Sequence, residues 1–243
     1  MQPLFGRVSK GINCATSVKK YSHMRIQITF SKQGALRYTG HLDLHKLWER
    51  AARRAEMPLA YSQGFHPQPK MNLASALPLG FSSRCEVLDM RLEHDIPLDG
   101  LRERLNGTLP SGIQVSSIES VAERAPALQT QVVSAEYEVR MIDSAFGSEL
   151  RRKIESVLEA ESIARTRRGK AYDLRPLIEA LDLLDDKILM RLAAREGATG
   201  RPEEVLAELG IAFEETRIER TRLIFQSQQL NSKIAAGVDS PPA

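Results

Sequence analysis

Apolar and polar residues alternate from Arg25 onward, with Ile26, Ile28 and Phe30 on one side of a strand predicted over 25–32, and Gly34 marks the turn that closes it. From His41 to Glu56 the period changes. Leu44, Leu47, Trp48, Ala51 and Ala55 recur at the spacing of one helix face, and Pro58 stops that helix. A loop rich in Gly and Pro (Ser62 to Pro69) leads to two strands predicted near 70–77 and 84–93. Pro97 and Asp99 open a second helix over Gly100–Leu109, and Ile113–Val121 alternates as a strand. The order is β-α-β-β-α-β.

Residues 125–134 carry no charge and read as a linker, after which the order restarts. Tyr137–Ile142 reads as a strand, and Ser148–Leu158 as a helix with Leu150, Ile154, Val157 and Leu158 on one face. Extended segments follow near 163–167 and 171–184, and Asp185-Asp186 makes a hairpin turn before Lys187–Ala194. Pro202 opens a short helix that Gly210 ends, and Thr216–Phe225 is a last strand. The fold class is therefore α+β, expected as two tandem ferredoxin-like (βαββαβ) sandwiches over 24–124 and 135–225. Fold alone does not decide function.

Charge changes this picture only locally. The 243 residues hold 34 Lys+Arg against 31 Asp+Glu, a formal charge of +3. Four of those bases lie in the acid-free stretch 1–23, and the remaining 30 bases face 31 acids. Residues 1–23 read as a disordered extension or an over-called start, with Met24 the expected first residue. The polar, aperiodic stretch 226–243 reads as a disordered tail. The leader has no apolar h-region, and no run reaches the roughly 18 apolar residues of a membrane span, so a cytoplasmic protein is expected. Two cysteines, Cys14 and Cys85, cannot supply a disulfide framework, a four-cysteine zinc site or a cluster from this chain alone.

The chemistry concentrates in 37–70, where Arg37 and His41 are among the residues expected to contact nucleic acid. Lys46, Arg50, Arg53 and Arg54 form a basic stripe opposite the apolar face of the first helix, where guanidinium forks can engage a row of phosphates; the bland alternative is a solvated face partly paired with Glu49 and Glu56. His41 stands at the helix start, and with His45 has a metal-capable spacing but no third ligand, so no metal is expected. In the following loop Tyr61, Phe65 and His66 offer faces for base stacking, while Ser62, Gln63 and Lys70 offer hydrogen bonds and charge. A second patch, Arg165, Arg167, Arg168, Lys170 and Arg175, surrounds Gly169 at an expected hairpin tip in an otherwise acidic half, as a phosphate grip would.

The run Arg37-Tyr-Thr-Gly-His-Leu-Asp-Leu44, then Arg53-Arg-Ala55 and Pro58 to Lys70, resembles a radical-SAM-associated bacterial family of unknown function. The resemblance continues through Ala76-Leu-Pro-Leu-Gly80, Ser83, Glu86 and Asp89 and includes the Gly169-Lys-Ala-Tyr-Asp-Leu-Arg175 run. It spans about 24–225. Members of that family occur alone or fused to the C-terminus of a radical SAM protein. The resemblance implies a radical SAM partner that holds the iron–sulfur cluster and S-adenosylmethionine, with no cofactor in this chain, and suggests work on RNA. Gly40 stands where the family pattern has Ser, and His66 where Asn is common.

No Cys-x3-Cys-x2-Cys, P-loop, dinucleotide Gly-x-Gly-x-x-Gly, Gly-x-Ser-x-Gly or His-Glu-x-x-His is present. Three functions stay open on sequence. The first is an accessory RNA-binding protein for a radical SAM enzyme acting in tRNA or rRNA modification. The second is a metal-independent RNA-processing enzyme using His41 or His66 in acid–base chemistry. The third is a module that docks the radical SAM partner through protein contacts alone.

Overall fold

The computed structural model describes residues 23–143 and 146–226. The expected leader and tail, with Cys14, lie outside these except for His23 and Gln226. In chain order the first half comprises β1 (Met24–Lys32), α1 (His41–Arg54), β2 (Met71–Leu73), β3 (Ser82–Leu92), α2 (Leu101–Thr108) and β4 (Ile113–Val121). After the one-turn α3 (Leu128–Gln131) come β5 (Val132–Met141), α4 (Leu150–Glu159), β6 (Ala164–Arg167) and β7 (Lys170–Asp173). The chain then forms β8 (Ile178–Leu184), β9 (Lys187–Arg195), the two-residue β10 (Ala198–Thr199), α5 (Pro202–Leu209) and β11 (Thr216–Phe225).

Nine strands form one mixed sheet, in the order β10-β9-β5-β11-β3-β1-β4, with β2 on β3 and β8 on β9. The fold is α+β. The halves meet where β11 runs parallel to the start of β3, pairing Glu219 with Ser82 and Arg220 with Ser83. The sequence pattern predicts a strand over 70–77, but β2 ends at Leu73, after which the Ala74 N–H still donates to the Val87 carbonyl of β3 at 2.8 Å.

One face of the sheet carries the main helices. Ile26, Ile28 and Phe30 of β1 and Leu88, Met90 and Leu92 of β3 pack under Leu44, Trp48 and Ala52 of α1. Phe30 meets Trp48 edge to face at 4.8 Å, a favoured aromatic geometry. Tyr137, Val139, Met190 and Leu192 pack with Ile154 and Val157 of α4 and Leu206 of α5. Burying a side chain of this size contributes about 1.5–3 kcal/mol, so the amphipathic pattern translates directly into the two helix layers.

A β-bulge shapes the junction. Phe30 pairs with Glu86 and Lys32 with Ser83, so one intervening residue on β1 faces two on β3, Arg84 and Cys85. The extra residue reverses the phase of β3 and turns Ser83 and Glu86 to the same side, beside Lys32 and Arg220. On the opposite face Arg25 is buried against Asp89, its Nε 2.9 Å from Oδ2, and donates to the carbonyls of Ala125 (2.5 Å) and Pro126 (2.9 Å). The uncharged stretch read as a linker thus includes α3 and the first residues of β5, and Arg25 holds its beginning against the sheet.

The β6–β7 hairpin forms a separate two-stranded sheet, turning through Arg168 (φ 51°) and Gly169 (φ 76°). At the first-half turn Gly112 (φ 98°) comes so close to Gln33 that a Cβ would lie 2.7 Å from the Gln33 carbonyl oxygen.

Candidate nucleic-acid interface

Helix α1 holds the basic stripe in place because its apolar face is pinned by Leu44, Trp48, Ala51 and Ala52. The helix starts at Gly40 with no side-chain cap, and Asp43 is the acid of its first turn, where a carboxylate favours the helix dipole. Lys46, Arg50 and Arg54 line a recess of about 480 Å³ between α1 and the end of α2, closed by Thr39 and by Thr108, Leu109 and Pro110. Arg54 is anchored there, Nη2 donating to the Thr108 carbonyl at 2.6 Å. Among the described residues Asp43 is the one carboxylate lining the recess, so three cations face one anion there. Side chains of these types can take phosphate oxygens, as point charges or through a two-pronged fork.

Arg53 is not part of that recess. It forms an ion pair with Glu49 at 2.8 Å and donates from Nε (3.0 Å) and Nη2 (2.9 Å) to the Tyr61 hydroxyl. Tyr61 is therefore an anchor for the loop, half-buried, rather than an open stacking face. Ser62 is an anchor too: its N–H donates to the Gln68 carbonyl at 2.8 Å, and its Oγ accepts from the Gln68 N–H at 3.0 Å. The short bridge Tyr61–Pro69 completes the neck. Beyond it Gln63, Phe65 and His66 are exposed, Phe65 completely (101%), and the Lys70 side chain is exposed at the loop's exit. Among the described residues this phenyl ring, on a bonded neck, packs against nothing.

Arg37 lies in a short 3-10 turn, its guanidinium 4.8 Å from the centre of the Tyr38 ring, with its buried Nε unpartnered. Arg37, with a smaller contribution from Arg217, holds the exposed Tyr38 phenol below its ordinary value.

The basic hairpin is mostly tied down. Arg165 pairs with Glu208. Arg167 engages both carboxylate oxygens of Glu204 (3.1 and 2.5 Å), the Tyr172 hydroxyl (3.1 Å) and the Thr199 carbonyl (3.1 Å). Arg175 donates to the carbonyls of Leu158 (2.8 Å) and Ile178 (3.0 Å). Arg168 and Lys170 remain exposed at the tip. Three of the five bases thus hold the hairpin against the second half, which reduces the expected phosphate grip to its tip.

His41 and His66 are not brought together. His41 occupies the first turn of α1, whereas the loop bearing His66 is bonded to Arg53 in the last turn, roughly 18 Å away along a helix rising about 1.5 Å per residue. His41 instead lies with His45 on the flank of α1 facing the second half. There the two histidines line a groove of about 590 Å³ with Asn72, Ser75 and Ala76 on the same side and Gln129, Thr130 and Thr199 opposite. Among the described residues no group of three or more His, Cys, Asp or Glu is placed to hold a metal.

Beneath that groove lies a buried polar cluster that the sequence pattern does not announce. Arg220 and Glu86 are 1% and 2% exposed at the side chain, and Lys32 is 1% exposed overall. Arg220 also reaches the Ser75 Oγ and the Ala76 carbonyl, both at 3.3 Å, and Lys32 donates to the Thr39 carbonyl at 2.9 Å. Burial pushes the Lys32 ammonium below its ordinary value, against the pull of Glu86. Burial, reinforced by Glu86, pushes the neighbouring Cys85 thiol up to about 11. The signal that could have found the cluster is phase: Lys32 continues the Ile26-Ile28-Phe30 series, and Arg220 follows Ile218, each a charge at a core-facing position.

Residues 25–202 match the model of a family described as uncharacterized protein conserved in bacteria (DUF2344). No curated protein matches the chain. No helix among the described residues is long and apolar enough to cross a membrane.

Proposed function

The chain belongs to this DUF2344 family, and on that premise we propose that it is a cytoplasmic RNA-binding accessory protein of a radical SAM enzyme, acting in tRNA or rRNA modification. The observation that carries the RNA reading is the recess in which Lys46, Arg50 and Arg54 converge opposite a single carboxylate. The exposed ring of Phe65 and the free tip bases Arg168 and Lys170 support it. The radical SAM partner, which would bring the iron–sulfur cluster and S-adenosylmethionine, rests on the sequence resemblance described above. We read the halves as tandem ferredoxin-like units. Each has the same order of its four sheet strands, β4-β1-β3-β2 and β11-β5-β9-β8, and the β6–β7 hairpin is an insertion in the second.

The test is equilibrium binding of the chain to tRNA and to ribosomal RNA fragments across a salt series. Each phosphate that the protein no longer neutralises reduces the slope of log K against log salt by about 0.7 to 0.9. The double variant Lys46→Glu/Arg50→Glu should weaken binding and flatten that slope by about 1.4 to 1.8. Absence of binding by the unaltered chain at low salt overturns the proposal. Binding that ignores the charge reversals moves the interface away from α1.

A further inference from the structure

The flanks of α1 differ in chemistry. On one side lies the cationic recess; on the other, the groove between the halves has no excess charge. Among the described residues its charged lining is Arg195 and Glu196, of opposite sign, and Arg195 also leans toward Glu179 at 3.9 Å. The rest of its polar lining is imidazole, amide and hydroxyl, over a floor that includes buried Met71, Leu73 and Ala74. Its volume of about 590 Å³ falls within the roughly 300–1,000 Å³ usual for small-ligand sites.

Two of these groups are already oriented. His45 Nε2 lies 3.0 Å from the Met71 carbonyl, which can only accept, so Nε2 carries a proton and leaves Nδ1 toward the groove as the other hydrogen-bonding atom of the ring. Ser75 Oγ accepts from Arg220, itself 99% buried and clamped by Glu86, and donates a long hydrogen bond to the Ala76 carbonyl at 3.5 Å. Acceptors and donors around a partly apolar floor suit a neutral heterocycle with a mixed hydrogen-bonding edge. They do not suit a phosphate.

We propose that this groove receives the base of an unpaired nucleotide whose neighbouring phosphates occupy the Lys46/Arg50/Arg54 recess, with α1, about 10 Å across, as the bar between the two. This rests on the RNA-binding reading and narrows it to RNA with an unstacked base, since a paired base cannot offer its edge to such a site.

The experiment uses the full chain and two RNA hairpins, one fully paired and one carrying a single bulged 2-aminopurine. The bulged hairpin should bind at least about fivefold tighter, the lower end of what one base contributes, and its fluorescence should change on binding. Ala76→Trp, which fills the groove from an exposed position, should remove the preference and the fluorescence change while leaving the affinity for the paired hairpin unaltered. Asn72→Ala, also exposed, should reduce the preference without any risk to packing. Lys46→Glu/Arg50→Glu should weaken both hairpins alike. Equal binding of the two hairpins by the unaltered chain, or a preference that survives in folded Ala76→Trp, overturns the groove assignment and leaves RNA binding standing. Binding of neither hairpin overturns both.

Discussion

Arg220 and Glu86 face each other across the junction of the two halves in a two-pronged ion pair, Nε to Oε1 at 2.9 Å and Nη2 to Oε2 at 2.7 Å, with almost no access to water. A pair so placed is costly to desolvate and more costly to break, because the survivor is left as an uncompensated buried charge. Arg220→Met alone should therefore destabilise the protein by about 3–5 kcal/mol. Arg220→Met/Glu86→Leu should recover most of that loss. Urea denaturation of the two variants measures both. A double variant no better than the single one would mean that the pair matters for shape rather than charge.

Cys85 gives the junction a pH signature. Its thiol ionises near 9.0 when exposed and is pushed up to about 11 in the fold, so the native state keeps its proton longer than the unfolded chain does. The resulting stability is fully present below pH 9 and drains away as pH rises through 11, at up to about 1.4 kcal/mol per pH unit. Urea denaturation between pH 8 and 11 should show this fall, and Cys85→Ala should flatten it. The native thiol should also alkylate slowly at pH 8.

The hairpin bases divide by task. Arg167→Ala removes bonds to Glu204, Tyr172 and Thr199 and should lower stability by about 1.5–3 kcal/mol, the range for hydrogen bonds to charged groups. Arg168→Ala/Lys170→Ala should leave the melting temperature within about a degree while weakening RNA binding. Thermal melts and binding isotherms on the same samples separate the two roles.

Gly112→Ala should be among the most disruptive small substitutions. The position combines a φ of 98° with a Cβ that would meet the Gln33 carbonyl oxygen at 2.7 Å. That carbonyl belongs to backbone, and the Gln33 N–H also donates to the Gly112 carbonyl at 2.7 Å, so neither side yields easily. A loss of at least about 2 kcal/mol is expected in urea denaturation.

Much of this architecture is written locally. Helix α1 is readable because five apolar residues share a face, and β1 because Ile26, Ile28 and Phe30 alternate; neither needs knowledge of a distant partner. The basic stripe is readable for the same reason, but not the recess, which exists only once Thr108–Pro110 pack beside it. The hairpin shows the opposite limit. Counting charge from 162 to 176 makes Arg165 and Arg167 look free, because their partners Glu208 and Glu204 lie about 40 residues further on. Glu86 is hidden by the bulge, which breaks the alternation that would have marked it as core-facing. The groove is hardest of all to foresee, since its walls come from α1, β2, α3 and the β9–β10 turn.

The position of β11 has a consequence for how the chain is made. This strand sits between β5 and β3 in space yet leaves the ribosome after β1–β10. Until it arrives, β5 and the start of β3 each present a bare edge, and Glu86 waits for an arginine synthesised 134 residues later. Long-range pairings of this kind form late and leave strand edges open to wrong partners meanwhile. The sheet is closed by the last of its strands, so a nascent chain halted before residue 216 has α1–α5 but not the strand that joins the halves.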